Sequence, residues 1–332
     1  MLEPQVVLDS LEELLAGAGE QVGELRPIDS VGKSGARLDR VTIDGDPYVV
    51  KYLDPDQDWT IRIAQVPATA PVEVWRRGLL NALPPEIDSP IVGVASLGTK
   101  AVLLMRDVSG WLVPGGDEPI PRAQNEGFLD AMAAMHVRFW ESAEAIDVVT
   151  PERRYLELSP EMAAAEAALG SEHLVPQLVA RGWPMFADVA PRAAAVVLPL
   201  AHDPRPLVTA MAGTPQTFIH GNWKLDNLGT HDDGRTILFD WELPGRGAPL
   251  ADVAWYLAIN CRRLPVSKEE TLEVYREALH RRGVATGEWW DRQLGLALIG
   301  ALVHFGWEKA LGGYDDELAW WEERTLEGAA LL

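Results

Sequence analysis

The stretch FIHGNWKLDNLGTHDDGRTILFDWELPG, Phe218 to Gly245, decides how this chain is read. It holds two short β-rich pieces around Asp233-Gly234, a turn signal, because Gly takes positive φ at no steric cost. With that pair at the turn, Leu228 faces Phe239 and, one step outward, Asn227 faces Asp240. A four-residue loop gives the same register, and a three-residue loop shifts it. An amide oxygen and a carboxylate at the open end of a hairpin make a hard, oxygen-rich site. Mg²⁺ suits such a site, taking a couple of protein oxygens and completing its shell with phosphate and water. The competing reading is that Asn227 caps a turn and Asp240 solvates a strand end.

The whole chain bounds what this hairpin can serve. At 332 residues it is longer than one compact core needs, so two domains or one two-lobed unit is expected. Its 47% hydrophobic and 24% charged residues are ordinary globular composition. The formal net charge is −21, a field that repels nucleic acid and anionic membranes and favours cationic small molecules. A triphosphate is not excluded, since a local lysine, backbone N–H groups and Mg²⁺ can outweigh the mean field. Acidity also serves solubility alone. Cys261 is the only cysteine, which rules out an internal disulfide and points to a reducing compartment. The start, MLEPQVVLDSLEELL, carries acids where a leader would be basic. The longest apolar run, Leu294–Trp307, is 14 residues, short of a bilayer span. A cytoplasmic protein is the expectation.

Leu8, Leu11, Leu14 and Leu15 recur at helical spacing, with Gly17 and Gly19 to end the helix. RVTIDGDPYVVKYL reads as a hairpin, Pro71 to about Leu83 as a helix closed by Pro84-Pro85, and IVGVASLG and AVLLMRDV as strands. From Phe128 onward the chain reads as largely helical. In YVVKYL, period 2 puts Lys51 on one face with Val49 and Leu53, so its amine either snorkels at an edge or enters a cleft. Glu73 is a candidate partner; the alternative is a surface pair between Glu73 and Arg77, four residues on. SVGKSGARLDRVTI invites a phosphate-loop reading that fails, because Pro27 stands where the first Gly belongs and the following residues look extended. Gly32 and Gly35 read instead as a turn lying over a ligand, or as an ordinary loop. There is no H-E-x-x-H, and GKSGA misses the G-x-S-x-G elbow, which disfavours a hydrolase. His136 sits on an apolar helix face and reads as a packed core histidine. EWWDR (Glu288–Arg292) and YDDELAWWEE (Tyr314–Glu323) mix aromatics with acids, as an ammonium pocket would, or as solvated amphipathic helices do.

Taken in order, these pieces resemble the aminoglycoside phosphotransferase family, small-molecule relatives of protein kinases that include choline kinases. The family pattern is H-G-D-x-x-x-x-N followed by a strand ending in Asp. His220, Gly221, Asn222 and Asn227 fill the first part at the same spacing, and Asp240 of FDWE supplies the second. GAPLADVAWYL resembles the next helix, where Asp252 would brace the loop, and AMHVRFW the preceding one; the likeness spans roughly residues 25–260. It implies an α+β, protein-kinase-like two-lobed fold, with a β-rich nucleotide-binding lobe over residues 1–107 and a mainly helical lobe over 108–332. It implies ATP-dependent phosphorylation of a hydroxyl on a small molecule, with GTP as an alternative donor; the net charge and the acidic aromatic stretches point to a cationic acceptor (an aminoglycoside, amino sugar or choline-like alcohol), and the net charge to no nucleic-acid or membrane partner. The resemblance assigns Lys51 to the α/β-phosphates with Glu73 holding it, and Asn227 and Asp240 to Mg²⁺. Gly32 and Gly35 would cover the nucleotide, and the adenine would lie against the main chain of Leu104, Met105, Arg106 and Asp107.

One position departs from the pattern. The family's Asp orients the acceptor hydroxyl and takes its proton, whereas Asn222 is nearly isosteric and has no basic site. Asp226 could substitute, although neighbours in an extended segment point to opposite faces and Asp226 adjoins Asn227. The site could retain binding without transfer, as a nucleotide-binding regulatory protein. Or it is a kinase whose altered residue slows it by on the order of 10²–10⁴.

Overall fold

The computed structural model describes residues 2–28, 34–64, 69–142 and 148–332. Strands β1 (Arg26–Pro27), β2 (Arg37–Ile43), β3 (Asp46–Leu53), β5 (Ile91–Leu97) and β6 (Lys100–Arg106) form an antiparallel sheet in the order β1-β2-β3-β6-β5. The intervening β4 (Ile87–Asp88) belongs elsewhere. Asp44 (φ 51°) and Gly45 (φ 95°) make the two-residue turn between β2 and β3, and that turn sets the register in which Lys51 faces Leu38. Alternation then sorts the side chains of β3 and β6. Val50, Val102 and Leu104 pack with Leu14 and Leu15 of the helix Leu11–Ala18 in a small outer core, while Leu53 and Leu103 join the main core.

The helix expected from Pro71 to Leu83 is shorter, Ala70–Arg76, followed by a separate 3₁₀ turn at Leu80–Ala82. Gly78 at φ 70° bends the chain between them, a conformation that ends a helix. The second part of the chain is helical, as expected. Its centre is Trp290–Leu311, packed by Leu174–Val189, Pro249–Ile259 and Asp316–Gly328. By length and composition Trp290–Leu311 could cross a membrane, yet 78% of its most apolar window lies buried inside the protein, as befits a core helix.

Two small sheets position the site. β7 (Thr217–Ile219) pairs antiparallel with β10 (Gly245–Gly247), and β8 (Leu228–Thr230) pairs antiparallel with β9 (Thr236–Leu238). β4 adds to β9 in parallel, so residues from the first third of the chain enter a sheet of the helical part. Around this junction Asp88 accepts from Arg106 Nη2 and from His231 Nε2, both at 2.8 Å.

The β8–β9 register differs from the sequence expectation by one residue. Leu228 pairs with Leu238, and His231 N–H donates to Arg235 O at 2.9 Å, leaving the three-residue loop Asp232–Gly234. Gly234 at φ 87° supplies the left-handed residue that closes such a loop. Phe239 rather than Asp240 therefore lies opposite Asn227, to which its N–H donates at 3.4 Å. The direct cross-strand pairing of Asn227 with Asp240 is not formed.

Candidate active site

The loop after β7 is pinned from beneath. Gly221 has φ 76°, and a Cβ there would fall 2.2 Å from Leu243 O, so only glycine fits. Asp252, buried in the first turn of Pro249–Ile259, accepts His220 N–H and Gly221 N–H, each at 2.8 Å. His136 Nε2 lies 3.2 Å from the same carboxylate and its Nδ1 2.7 Å from Tyr275 Oη, the locally bonded core histidine expected. Burial alone would raise the Asp252 pKa; the hydrogen bonds from His136 and the loop outweigh it and hold the group below its ordinary value. His220 Nε2 donates to Phe239 O at 3.0 Å and Nδ1 accepts Asn222 N–H at 3.2 Å, so the imidazole is the neutral Nε2–H tautomer. Burial lowers its pKa in keeping with that form.

Asn222 is the hub. Its Nδ2 donates to Asp240 Oδ2 at 3.3 Å, and its backbone oxygen accepts Asn227 Nδ2 at 3.0 Å. Asn227 and Asp240 thus come together through Asn222, helped by a left-handed bend at Asp240 (φ 68°) just past β9. With its Nδ2 committed, Asn227 turns Oδ1 the other way. Lys51 Nζ completes the group, 2.6 Å from Asp240 Oδ1 and 2.5 Å from Glu242 Oε1.

The expected Lys51–Glu73 pair is absent. Glu73 instead binds Arg76 and, at 3.3 Å, Arg77, the within-helix alternative that its spacing allows. Its place beside Lys51 is taken by Glu242, which the sequence reading passed over. The signal was in FDWE: two residues on from Asp240, period-2 spacing can return a side chain to the same side. Glu242 in turn reaches Thr60, whose Oγ1 lies 2.8 Å from Glu242 Oε2 and 2.6 Å from Asp58 Oδ1.

The remaining candidates fall around this group. Gly32 lies outside the described residues. Gly35 (φ 97°) sits where a Cβ would lie 2.6 Å from Gln57 O and from His173 Cε1. Leu104 points into the small outer core, Met105 is half-buried against the main core, and Arg106 reaches Asp88. The N–H groups of Arg106 and Asp107 donate to Pro90 O and Pro47 O, which spends both donors within the β-rich lobe. Asp226 is exposed on the 3₁₀ turn Leu225–Asn227, whereas Asn227 is buried. The tryptophans of the two acidic aromatic stretches are engaged within the chain: Lys268 lies over Trp320 and Arg276 over Trp290, and Trp321 is fully buried.

With this geometry in place, comparison with known proteins is decisive. The profile of the phosphotransferase enzyme family (APH) matches residues 40–290. The chain belongs to this family. Among solved structures it is similar to the choline kinase LicA from Streptococcus pneumoniae, with 13% identity over 97% of each chain and a TM-score of 0.50. It is similar also to spectinomycin phosphotransferase APH(9)-Ia in complex with ADP and spectinomycin (11% identity over 94% of this chain and 92% of that one, TM-score 0.48). A thermostable mutant of APH(4)-Ia in its apo form is a third (13% identity, 96% and 98% coverage, TM-score 0.47). At such identities the likeness is one of fold, the two-lobed protein-kinase-like architecture. No curated protein matches the sequence.

The electrostatics of this group follow from burial and charge. Burial would lower the Lys51 pKa, but Asp240 and Glu242 overcome it and hold the ammonium charged. Asp240, which burial would raise, is driven well below the ordinary carboxylate range by Lys51 and Lys224. Glu242 moves up, through burial first and the Asp240 charge second. Burial also pushes Glu157 up to about 8, with Glu242, Asp240 and Asp58 adding and Lys224 opposing. Among the described residues no group of three or more His, Cys, Asp or Glu side chains could hold a metal alone. The donor chemistry instead fits Mg²⁺ arriving on a polyphosphate: one ionised carboxylate and one amide oxygen, with the other positions left to phosphate and water.

Proposed function

We propose that this protein transfers the γ-phosphoryl group of ATP, carried as its Mg²⁺ complex, to a hydroxyl of a small cationic molecule. One observation supports the reading above all: Lys51, Asp240, Asn222 and Asn227 form a single connected group in a chain of the phosphotransferase family. In this reading Lys51 turns to the α/β-phosphates when nucleotide enters, and Asn227 and Asp240 hold Mg²⁺. The metal supplies charge neutralisation of the transferring group. The adenine lies along Leu104–Asp107, with Gly35 near the phosphates. The formal net charge of −21 favours a positively charged acceptor. Relatives whose names denote choline and spectinomycin as their substrates agree with that charge.

The second reading, nucleotide binding without turnover, draws on the amide at Asn222. Thermal shift with ATP·Mg²⁺, run beside transfer of labelled γ-phosphate to choline, spectinomycin and hygromycin B, separates the two. Stabilisation with transfer supports the kinase. Stabilisation without transfer, even in Asn222→Asp, supports the binder, and no response to nucleotide overturns both.

A further inference from the structure

Glu242 is placed by a tight turn. Its N–H donates to Asp240 O at 3.0 Å, just past the left-handed bend at Asp240 (φ 68°). Two carboxylates two residues apart therefore reach one ammonium: Asp240 Oδ1 lies 2.6 Å and Glu242 Oε1 2.5 Å from Lys51 Nζ. The Glu242 side chain is 6% exposed, and its second oxygen is engaged as well, Oε2 lying 2.8 Å from Thr60 Oγ1. Thr60 is itself held by Asp58, whose Oδ1 accepts Thr60 N–H at 2.9 Å.

Lys51 pairs with no other acid among the described residues. In protein kinases the lysine of this strand is oriented by a glutamate on a helix of the β-rich lobe. Here the helix that follows β3, Trp59–Ala64, carries no acid, and Glu73 on the next one is turned to Arg76 and Arg77. Of the two acids that Lys51 does meet, Asp240 is the one that Mg²⁺ would claim. A carboxylate that neutralises a metal ion is a weaker partner for a second cation.

We propose that Glu242 is the positioning residue of Lys51, the acid that keeps its Nζ on the phosphates once Asp240 has turned to the metal. The inference rests on the phosphotransferase reading above and deepens it by naming what aims the lysine. An ammonium has three N–H donors. One stays with Glu242 Oε1, and the others, released from Asp240, meet the α/β-phosphates. Thr60 holds the far oxygen of Glu242, so the carboxylate does not swing with the lysine. Lys51 and Thr60 come from the β-rich lobe and Glu242 from the helical one, so closing the cleft is what aims the lysine.

The test compares the parent with Glu242→Gln, Glu73→Gln, Lys51→Met and the double variant Lys51→Met/Glu242→Gln. It follows phosphate transfer from Mg·ATP to choline, spectinomycin, hygromycin B and water, with Asn222→Asp as a second background. A displacement of about 1 Å in a positioning group costs on the order of 10²-fold in rate. Expected in Glu242→Gln is a fall in kcat of roughly 10–10²-fold, with KM for ATP changed by less than about 3-fold. Added to Lys51→Met, the same change costs less than about 3-fold more, because the group it aims is gone. Glu73→Gln turns over as the parent does. Parent-like turnover in Glu242→Gln, an equal loss with and without Lys51, or a matching loss in Glu73→Gln overturns the assignment. So does a rise of more than about 10-fold in the Mg²⁺ needed for half-maximal turnover of Glu242→Gln, which would make Glu242 a metal ligand instead. Should the glutamine variant not fold, Thr60→Val is expected to lower kcat about 3–10-fold, again only where Lys51 is present, and parent-like turnover there overturns it. If neither the parent nor Asn222→Asp transfers phosphate to any of these while Mg·ATP binds, the phosphotransferase reading itself falls, and this inference with it. Transfer that Glu242→Gln leaves untouched sinks Glu242 alone.

Discussion

Restoring an acid at position 222 should make the nucleotide-free protein less stable. In the parent, Asn222 Nδ2 donates to Asp240 Oδ2 at 3.3 Å. Asn222→Asp replaces that donor with a second carboxylate at the same distance. Two unit charges so close repel by about 5 kcal/mol at an effective dielectric constant of 20. Lys51, held against Asp240 on its other side, offsets part of this. Protonating the new carboxyl caps the rest, at about 4 kcal/mol for three pH units above an ordinary aspartate pKa. A net loss of about 2–4 kcal/mol follows near neutral pH. With an unfolding entropy of about 2.1 cal/mol/K per residue, a chain of this length loses roughly 3–6 °C in Tm.

The sign of the pH dependence is fixed. The new carboxyl has its pKa raised in the folded state, so the penalty is absent below its unfolded pKa and grows as pH rises through the raised one. Mg²⁺·ATP, bound as proposed with its cation held by Asp240 and Asn227, should restore stability and stabilise the variant more than the parent. Differential scanning fluorimetry from about pH 4 to 8, with and without Mg²⁺·ATP, reads all three effects. A variant as stable as the parent at neutral pH without nucleotide would refute the placement of Asn222 against Asp240.

Three further outcomes are expected. Lys51→Met leaves Asp240 and Glu242 buried beside each other without their cation, so stability should fall by roughly 3–5 kcal/mol with ATP-induced stabilisation lost, both read by thermal shift. Asp252→Asn keeps the shape but loses one anionic acceptor beneath the loop, which should cost about 1.5–3 kcal/mol per weakened bond in chemical denaturation. Glu157 is ionised when unfolded and largely neutral when folded between its ordinary pKa and about 8, so it lowers stability as pH rises through that window. Glu157→Gln should remove this slope and gain on the order of a few kcal/mol above about pH 8, in Tm measured against pH.

Much of the site was legible in the sequence because its residues sit on strands and tight turns, where spacing dictates position. Lys51 on β3, the loop from His220 to Asn227 and Asp240 after β9 lie in such segments, and the brace from Asp252 stands in the first turn of a helix. The hairpin register was not legible, because Asp-Asp-Gly suits a loop of two residues or three and the extra residue changes nothing in the local pattern. Glu73 failed as Lys51's partner for a different reason. Arginines three and four residues ahead compete for it, and sequence alone does not weigh a surface pair against a longer reach.

The pairing of β4 with β9 has a mechanical consequence. Ile87 and Asp88 precede two strands of the five-stranded sheet, yet their ladder bonds belong to the sheet that leads into Asp240. Asp88 further ties Arg106, at the end of β6, to His231 beyond β8. The two halves therefore share a stitched edge, and sliding past one another would tear it. A swing about that edge, like a book held at its spine, would leave these bonds intact, with the mouth of the cleft travelling farthest while the residues nearest the edge stay in register.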